Sequence, residues 1–320
     1  MRHPGGHLLL LLLSLLLSLA PVAAAETASK AGAAAEVLIV PSERGGAYEE
    51  TIDILLTELG GLQPSPSIEV RQWDEAVPAA TTRVIVTIGA KAAAEVGTGA
   101  EASVVVNTLL PSHSFAQIHS GRSADEMKRI TAVFLDQPVR RQIALLREAL
   151  PDWTNLALIS GPTTRELSLA IETEARQSGL SVRRSDINSD RELFRALQQT
   201  LEGPALLIAV PDRDLYNSRT IQNILLTSYR RNSPLVGFSA AYVRAGALLA
   251  VYSHPAQVAA QAAEAVAAVL HGNAMPPPRY PVAFEVDINQ TVARSLGIRL
   301  NSARVIEARL RLLEGGGERD

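Results

Sequence analysis

One strand-and-helix pattern is written twice along this chain, and that repetition constrains its fold more than any other feature. Val37–Val40 reads as a short buried strand ending at Pro41, followed by the loop Ser42–Gly46. A helix comes next, with Ile52, Leu55, Leu56 and Leu59 spaced to share one apolar face, and Gly60-Gly61 stops it. Strands are expected at Ile68–Val70, Val84–Val86 and Val104–Val106. The order restarts at Leu156–Ile159, with further strands at Val182–Ile187, Ala205–Val210 and Leu235–Phe238. Ser189-x-x-Glu192 reads as a capping box opening a helix that buries Phe194, Leu197 and Leu201. Ile39 then falls on Ile159, Val86 on Ala209 and Val105 on Val236, about 120 to 130 residues apart. Solenoid repeats run to only about 20–50 residues, so this is a duplicated domain and not an array. Alternating strands and helices imply an α/β fold of two Rossmann-like lobes, each a parallel sheet flanked by helices.

In such sheets ligands meet the loops at the carboxyl ends of the strands. Those loops are Ser42–Gly46, Thr87–Lys91 and Asn107–Thr108 in the first half, and Ser160–Thr164, Pro211–Asp214 and Ser239–Tyr242 in the second. If the two edges face each other, six polar loops line one cleft. The candidate ligand-binding residues are Ser42, Tyr48, Thr87, Gly89, Asn107, Gln137, Gly161, Thr163, Asp212, Tyr216, Ser239 and Tyr242. Asp212 is the expected partner for a ligand ammonium, and the tyrosines Tyr48, Tyr216 and Tyr242 are expected walls. Hydroxyls and Asp at helix starts are also common caps, so about half of these could serve the fold alone. Tyr229 and Tyr252 read as packing residues.

Thr131–Leu135 leads through Asp136-Gln137-Pro138 into a helix and is the natural crossover between the halves; Ala247–Val251 should cross back. A helix over Pro255–Leu270, a stiff Met275–Pro278 connector, a strand over Tyr280–Val286 and a helix around Asn289–Leu296 follow. A charged helix then runs to Leu313, and 314–320 is expected to fray. Asn289-Gln290-Thr291 matches a glycosylation sequon, a weak three-residue signal.

The N-terminus is an address. Arg2 and His3 precede the apolar run Leu8–Leu19, and the small residues Ala23–Ala25 follow Pro21, the tripartite form of a secretory signal. Residues 1–25 are expected to be removed, 26–35 to form a flexible leader, and the mature protein to work in the periplasm. The run is short for a membrane span, which takes about 20 residues. The 320-residue chain has no cysteine, which excludes disulfides, thiolate chemistry and a lipid anchor through an N-terminal Cys. A net charge of −3 gives no reason to expect nucleic acid or an anionic membrane as partner.

Catalysis finds little support. Gly237-Phe238-Ser239-Ala240-Ala241 lacks the last Gly of a nucleophile elbow, and no acid lies between Ser239 and His254. A secreted serine hydrolase using Ser239 stays as a remote alternative. Gly45-Gly46 and Gly89 form neither dinucleotide nor P-loop fingerprint, so no cofactor is expected. His113 and His119 read as solvated surface residues, and no metal site is expected.

The motifs Phe134–Pro138 (FLDQP), Val210–Asn217 (VPDRDLYN) and Ser228–Gln261 together resemble ABC-transporter substrate-binding proteins, in particular the tryptophan/tyrosine-transport-like periplasmic components. The likeness runs over the mature chain to Asn289–Gly297 and is strongest from Pro204 to Gln261. It implies the type I periplasmic-binding architecture: two lobes, three hinge crossovers and a ligand closed between them. By that resemblance lobe 1 is 36–134 plus about 253–273, and lobe 2 is 135–252 plus about 280–313. It also implies a monomer without enzymatic activity that binds a small polar organic ligand, an amino acid among the candidates, and delivers it to an ABC permease with its ATPase. A periplasmic sensor feeding a signalling receptor would have the same cleft.

Overall fold

The structure is a computed structural model that describes residues 35–75, 82–96 and 103–316. The expected signal segment, the expected leader up to residue 34 and the last four residues lie outside the described residues.

The first lobe is built on β1 (Val37–Pro41), β2 (Ile68–Val70), β3 (Val84–Ile88), β4 (Val104–Leu110) and β5 (Ile130–Phe134). They form one parallel sheet in the order β2-β1-β3-β4-β5. Residues of β1 and β3 are buried throughout, as strands covered on both faces must be. Side-chain alternation explains the two layers. Val37 and Ile39 pack beneath α1 (Gly46–Gly60) and α10 (Pro255–Leu270), whereas Leu38 and Val40 face α2 (Ala90–Val96) and α3 (Ser112–Ile118). The Ala-rich face of α10 lies against α1, with Ala259, Ala262 and Ala263 buried beside Ile52 and Leu55. Leu56, expected on that face, is 39% exposed, because the buried stripe runs through Thr51, Ile52, Leu55 and Leu59.

The second lobe holds β6 (Asn155–Ser160), β7 (Ser181–Asp186), β8 (Leu206–Ile208), β9 (Leu235–Gly237), β10 (Leu249–Tyr252) and β11 (Glu285–Ile288). Their order is β11-β10-β9-β8-β6-β7, parallel except for β11, which runs antiparallel to β10. One continuous core joins this sheet to α5 (Val139–Ala149), α6 (Arg165–Gln177), α7 (Leu193–Thr200) and α12 (Ala303–Gly316). The duplicated α/β reading thus holds: two parallel-sheet lobes with helices on the faces.

Several local expectations fail for identifiable reasons. Phe194 is 55% exposed: Ser189 makes no capping bond, a 3-10 turn occupies Asp190–Glu192, and α7 buries Leu193, Ala196 and Leu197 instead. The strand expected over Tyr280–Val286 begins only at Glu285. Pro281 has no N–H to donate, and the Gln261 amide occupies this segment instead, its Nε2 donating to Tyr280 O (3.1 Å) and its Oε1 accepting from Val282 N (2.9 Å). β8 stops short at Ile208, and the chain turns at Pro211, where Asp212 N donates to Val210 O at 2.7 Å. Tyr229 is 46% exposed rather than packed. The tail does not begin at Glu314: α12 continues to Gly316, and Glu314 carboxylate oxygens accept from Arg141 Nε (2.6 Å) and Nη2 (2.8 Å). Asn289 caps α11 (Gln290–Ser295), its Oδ1 accepting from Thr291 N and Val292 N, while its Nδ2, the atom of the sequon that would carry a glycan, donates to Val243 O at 2.9 Å.

Three connectors pass between the lobes and are tied together by hydrogen bonds. Gln137 of the first donates from Nε2 to Ser253 Oγ of the second at 2.9 Å, and Ser253 Oγ donates to Ala283 O of the third at 2.5 Å. Arg141 extends the set, donating from Nη1 to Gln137 Oε1 (2.6 Å) and Pro281 O (2.9 Å) while its guanidinium lies 4.1 Å from the Phe284 ring centroid. The third connector also adds to the first sheet, with Phe134 N donating to Arg279 O and Arg279 N to Ala132 O.

Candidate functional site

A cavity of about 520 Å³ lies between the lobes. The first lobe lines it with Ala47 and Tyr48, at the start of α1, and with Leu109 and Pro111 after β4. The connectors contribute Leu135–Gln137 and Ser253–Pro255, and the second lobe contributes the ends of β8 and β9 with Arg213, Ser239 and Arg244. The walls are more apolar than the sequence suggested, with Leu145, Leu146, Val236, Phe238 and Val251 among them.

Backbone irregularity shapes the first-lobe wall. Leu109 adopts φ 49°, an uncommon conformation for a side chain of its size, where the β4–β5 register shifts. Tyr48 reaches the cavity across Gly89: at φ 87°, a Cβ there would stand 2.9 Å from Tyr48 Cε1 and 2.9 Å from Ser42 Oγ. Glycine is what lets the ring lie down on the loop.

The twelve sequence candidates divide sharply. Tyr48, Gln137 and Ser239 line the cavity. Ser239 N-caps the short α9 (Ala240–Ala245), and its Oγ has no hydrogen-bond partner among the described residues. The other nine do not line it, and most are committed to the fold. Ser42 Oγ accepts from Ala92 N at 2.9 Å. Thr87 Oγ1 donates to Asn107 Oδ1 (2.7 Å), and Asn107 Nδ2 donates to Thr131 O (2.9 Å), a polar rung buried across β3, β4 and β5. Thr163 O accepts from Gln117 Nε2 at 3.1 Å, a hydrogen bond between the lobes. Tyr242 Oη donates to Tyr216 O (2.8 Å), and its ring lies 4.4 Å from that of Phe238, which does line the cavity. Burial pushes the Tyr242 hydroxyl up to about 12 and the Tyr216 hydroxyl further still.

Asp212 is the main correction. It is 3% exposed and absent from the cavity wall. Its Oδ2 accepts from Thr164 Oγ1 (2.7 Å) and Gly161 N (3.2 Å), and its Oδ1 from Asp214 N (3.0 Å) and Leu215 N (3.2 Å). A carboxylate has about four acceptor sites, and all four are filled from within the lobe. Gly161 is required here, since a Cβ would stand 2.7 Å from Asp212 Oδ2. Asp212 ties two loops together and is not placed to receive an ammonium.

The carboxylate that does line the cavity is Asp136, which the sequence reading passed over beside Gln137. It accepts from Ser112 N (2.7 Å) and Ser112 Oγ (2.6 Å). Desolvation raises its pKa despite those bonds and the nearby His113. The FLDQP motif was the available signal, since it sits at the end of β5, where cleft residues are expected.

The histidines differ from expectation too. His119 is 6% exposed, its ring 4.5 Å from that of Phe115, and neither ring nitrogen has a partner among the described residues. Desolvation lowers its pKa to about 4. His113 is half-buried, and desolvation lowers its pKa, with Asp136 and Asp212 opposing that shift. At the cavity, His254 Nε2 lies 3.1 Å from Glu285 Oε2. Among the described residues there is no cluster of three metal-ligating side chains and no helix long and apolar enough to cross a membrane.

Two sheet lobes joined by three connectors around a cavity define the bilobal architecture of the periplasmic binding proteins. The chain belongs to the ABC transporter substrate binding protein family, whose model matches residues 50–309. Solved structures share the fold. A ligand-free, open substrate binding protein with adhesive properties from Clostridium difficile superposes with a TM-score of 0.68 at 13% identity, over 84% of this chain and 97% of that one. The ABC domain from Streptococcus pneumonia in complex with L-Trp gives 0.62 at 14% identity, over 84% and 96%. A conserved domain protein from Vibrio cholerae gives 0.62 at 19% identity, over 85% and 97%. No curated protein matches the sequence.

Proposed function

We propose that the mature protein is the periplasmic solute-binding component of an ABC importer, closing on a small organic solute between its lobes and presenting it to a membrane permease. The observation that carries this reading is the 520 Å³ cavity, walled by both lobes and floored by two of the connectors between them. Binding energy gathered by both walls favours the closed arrangement over the open one, and a hinge motion needs no chemistry. The bending points in this reading are the connectors at 135–138, 253–254 and 271–284, which Gln137 and Ser253 keep in register. A hydrolase reading for Ser239 has little to work with: among the described residues no histidine is hydrogen-bonded to its Oγ, and the cavity histidine is turned to Glu285.

A thermal-shift screen of the mature protein against amino acids, organic acids, sugars and small peptides tests the proposal. A solute at a hundred times its dissociation constant stabilises by about 2.7 kcal/mol. Capture of a permease by the liganded but not the free protein would support delivery. Turnover of an ester substrate, abolished in Ser239→Ala, would replace this reading with the hydrolase.

A further inference from the structure

Charge is unevenly distributed around the cavity. Two exposed arginines line it, Arg213 after β8 and Arg244 on α9, and neither side chain has an ion-pair or hydrogen-bond partner among the described residues. The lining histidine is paired with Glu285, and the lining carboxylate Asp136 accepts two hydrogen bonds from Ser112. Asp212, the other acid near the cleft, has no acceptor site left. The cavity therefore offers two unpartnered cationic side chains, whereas both oxygens of its one lining carboxylate are already engaged by Ser112. The first turn of α1 adds to the same sign, because Ala47 and Tyr48 bring the positive end of a 15-residue helix to the wall.

Most of the remaining wall is hydrocarbon. Leu109 and Leu135 contribute on one side and Leu145, Leu146, Val236 and Val251 on the other. An apolar body gains from burial there, whereas an ammonium would be desolvated with only a carboxylate already bonded to Ser112 to meet it.

We propose that the solute is a small organic carboxylate with an apolar body and no α-ammonium, its carboxylate held by Arg213 and Arg244. This rests on the solute-binding reading above and narrows it. Arginine suits the role because its planar fork can grip a carboxylate through two parallel N–H donors. The missing ammonium separates this class from the amino acids: a zwitterion would place its cation among arginines, hydrocarbon and a carboxylate whose two oxygens Ser112 already engages.

The test is calorimetric titration of the mature protein with hexanoate, benzoate and 3-phenylpropanoate, each against its neutral amide, and with phenylalanine as the amino counterpart of the last. At least one carboxylate binds, with its amide at least tenfold weaker and phenylalanine at least tenfold weaker than 3-phenylpropanoate. Arg213→Ala and Arg244→Ala each weaken the carboxylate at least tenfold, while Arg219→Ala, an exposed arginine off the cavity wall, leaves affinity unchanged. Thermal unfolding without ligand is the same in all three variants, which separates lost recognition from lost folding. The inference is overturned if no carboxylate binds, if an amide or phenylalanine matches its acid, or if the Arg213 and Arg244 variants bind like wild type. Tight binding of a neutral sugar or a peptide would overturn it while leaving the solute-binding function intact; absence of binding by every class of solute would remove both.

Discussion

Replacing Asp212 with alanine distinguishes a loop tie from a ligand contact. The side chain is 3% exposed and takes four hydrogen bonds. Of the donors released, Asp214 N belongs to an exposed residue and can turn to water, and Gly161 N keeps its bond to Thr164 Oγ1 at 3.2 Å. Thr164 Oγ1 and Leu215 N are left as buried donors, at residues 0% and 1% exposed. Each orphaned donor costs about 1–3 kcal/mol, partly offset because a carboxylate no longer has to be desolvated. A net loss of about 2–3 kcal/mol follows, or roughly 5–10 °C in Tm for a domain of this size. Thermal unfolding followed by circular dichroism at pH 7, with no solute present, reads it directly. Asp212→Asn should fall between, because its Oδ1 can still serve Asp214 N and Leu215 N while its amide N–H groups face the donors on the other side. Wild-type Tm in the alanine variant together with abolished solute binding would refute the loop-tie argument and restore Asp212 as a ligand anchor.

Two further perturbations probe the fold. The His119 pKa is lowered in the folded state to about 4, so its contribution is fully present above the unfolded value of about 6.5 and is lost as pH falls through the folded value. Between pH 6.5 and 4.5 the wild type therefore loses stability that His119→Phe retains, and parallel denaturation curves for the two proteins across that window would contradict the assignment. Glu314→Ala removes both carboxylate acceptors from Arg141, whose side chain is only 6% exposed. Because the Glu314 side chain is 41% exposed and water can replace part of it, the cost is about 1–2 kcal/mol and not the 3–5 of a fully buried pair. Chemical denaturation measures that loss, and an unchanged midpoint would show the C-terminal end of α12 to be dispensable.

The duplicated layout was legible because buried parallel strands leave continuous apolar runs, as at Val37–Val40 and Leu156–Ile159. Strand ends were less legible, because the Gln261 amide that pairs with the Tyr280–Val282 backbone is 19 to 21 residues away in sequence. At the site, the loops were foreseeable but not the direction of their side chains. Thr87, Asn107 and Asp212 carry the residue types a ligand would want, yet all three are consumed by neighbours on adjacent strands or loops. Arg213 and Arg244 were passed over because arginine is abundant throughout the chain, and only the folded wall separates these two from the rest. Asp136 and Gln137, adjacent in sequence, both line the cavity, yet Asp136 is bonded to Ser112 of its own lobe whereas Gln137 also locks the connectors.

Solute should draw the two lobes together, and the cysteine-free sequence makes this motion directly measurable. Ala116 on α3 and Glu166 on α6 are exposed and stand near the Gln117–Thr163 hydrogen bond where the lobes meet. With Ala116→Cys and Glu166→Cys in one chain, spin labels report the inter-lobe distance by pulsed electron paramagnetic resonance. Saturation with the solute that gives the largest thermal shift should shorten and narrow the distance distribution, and dilution should restore it. A distribution identical with and without that solute, at concentrations where calorimetry shows the protein saturated, would contradict the claim.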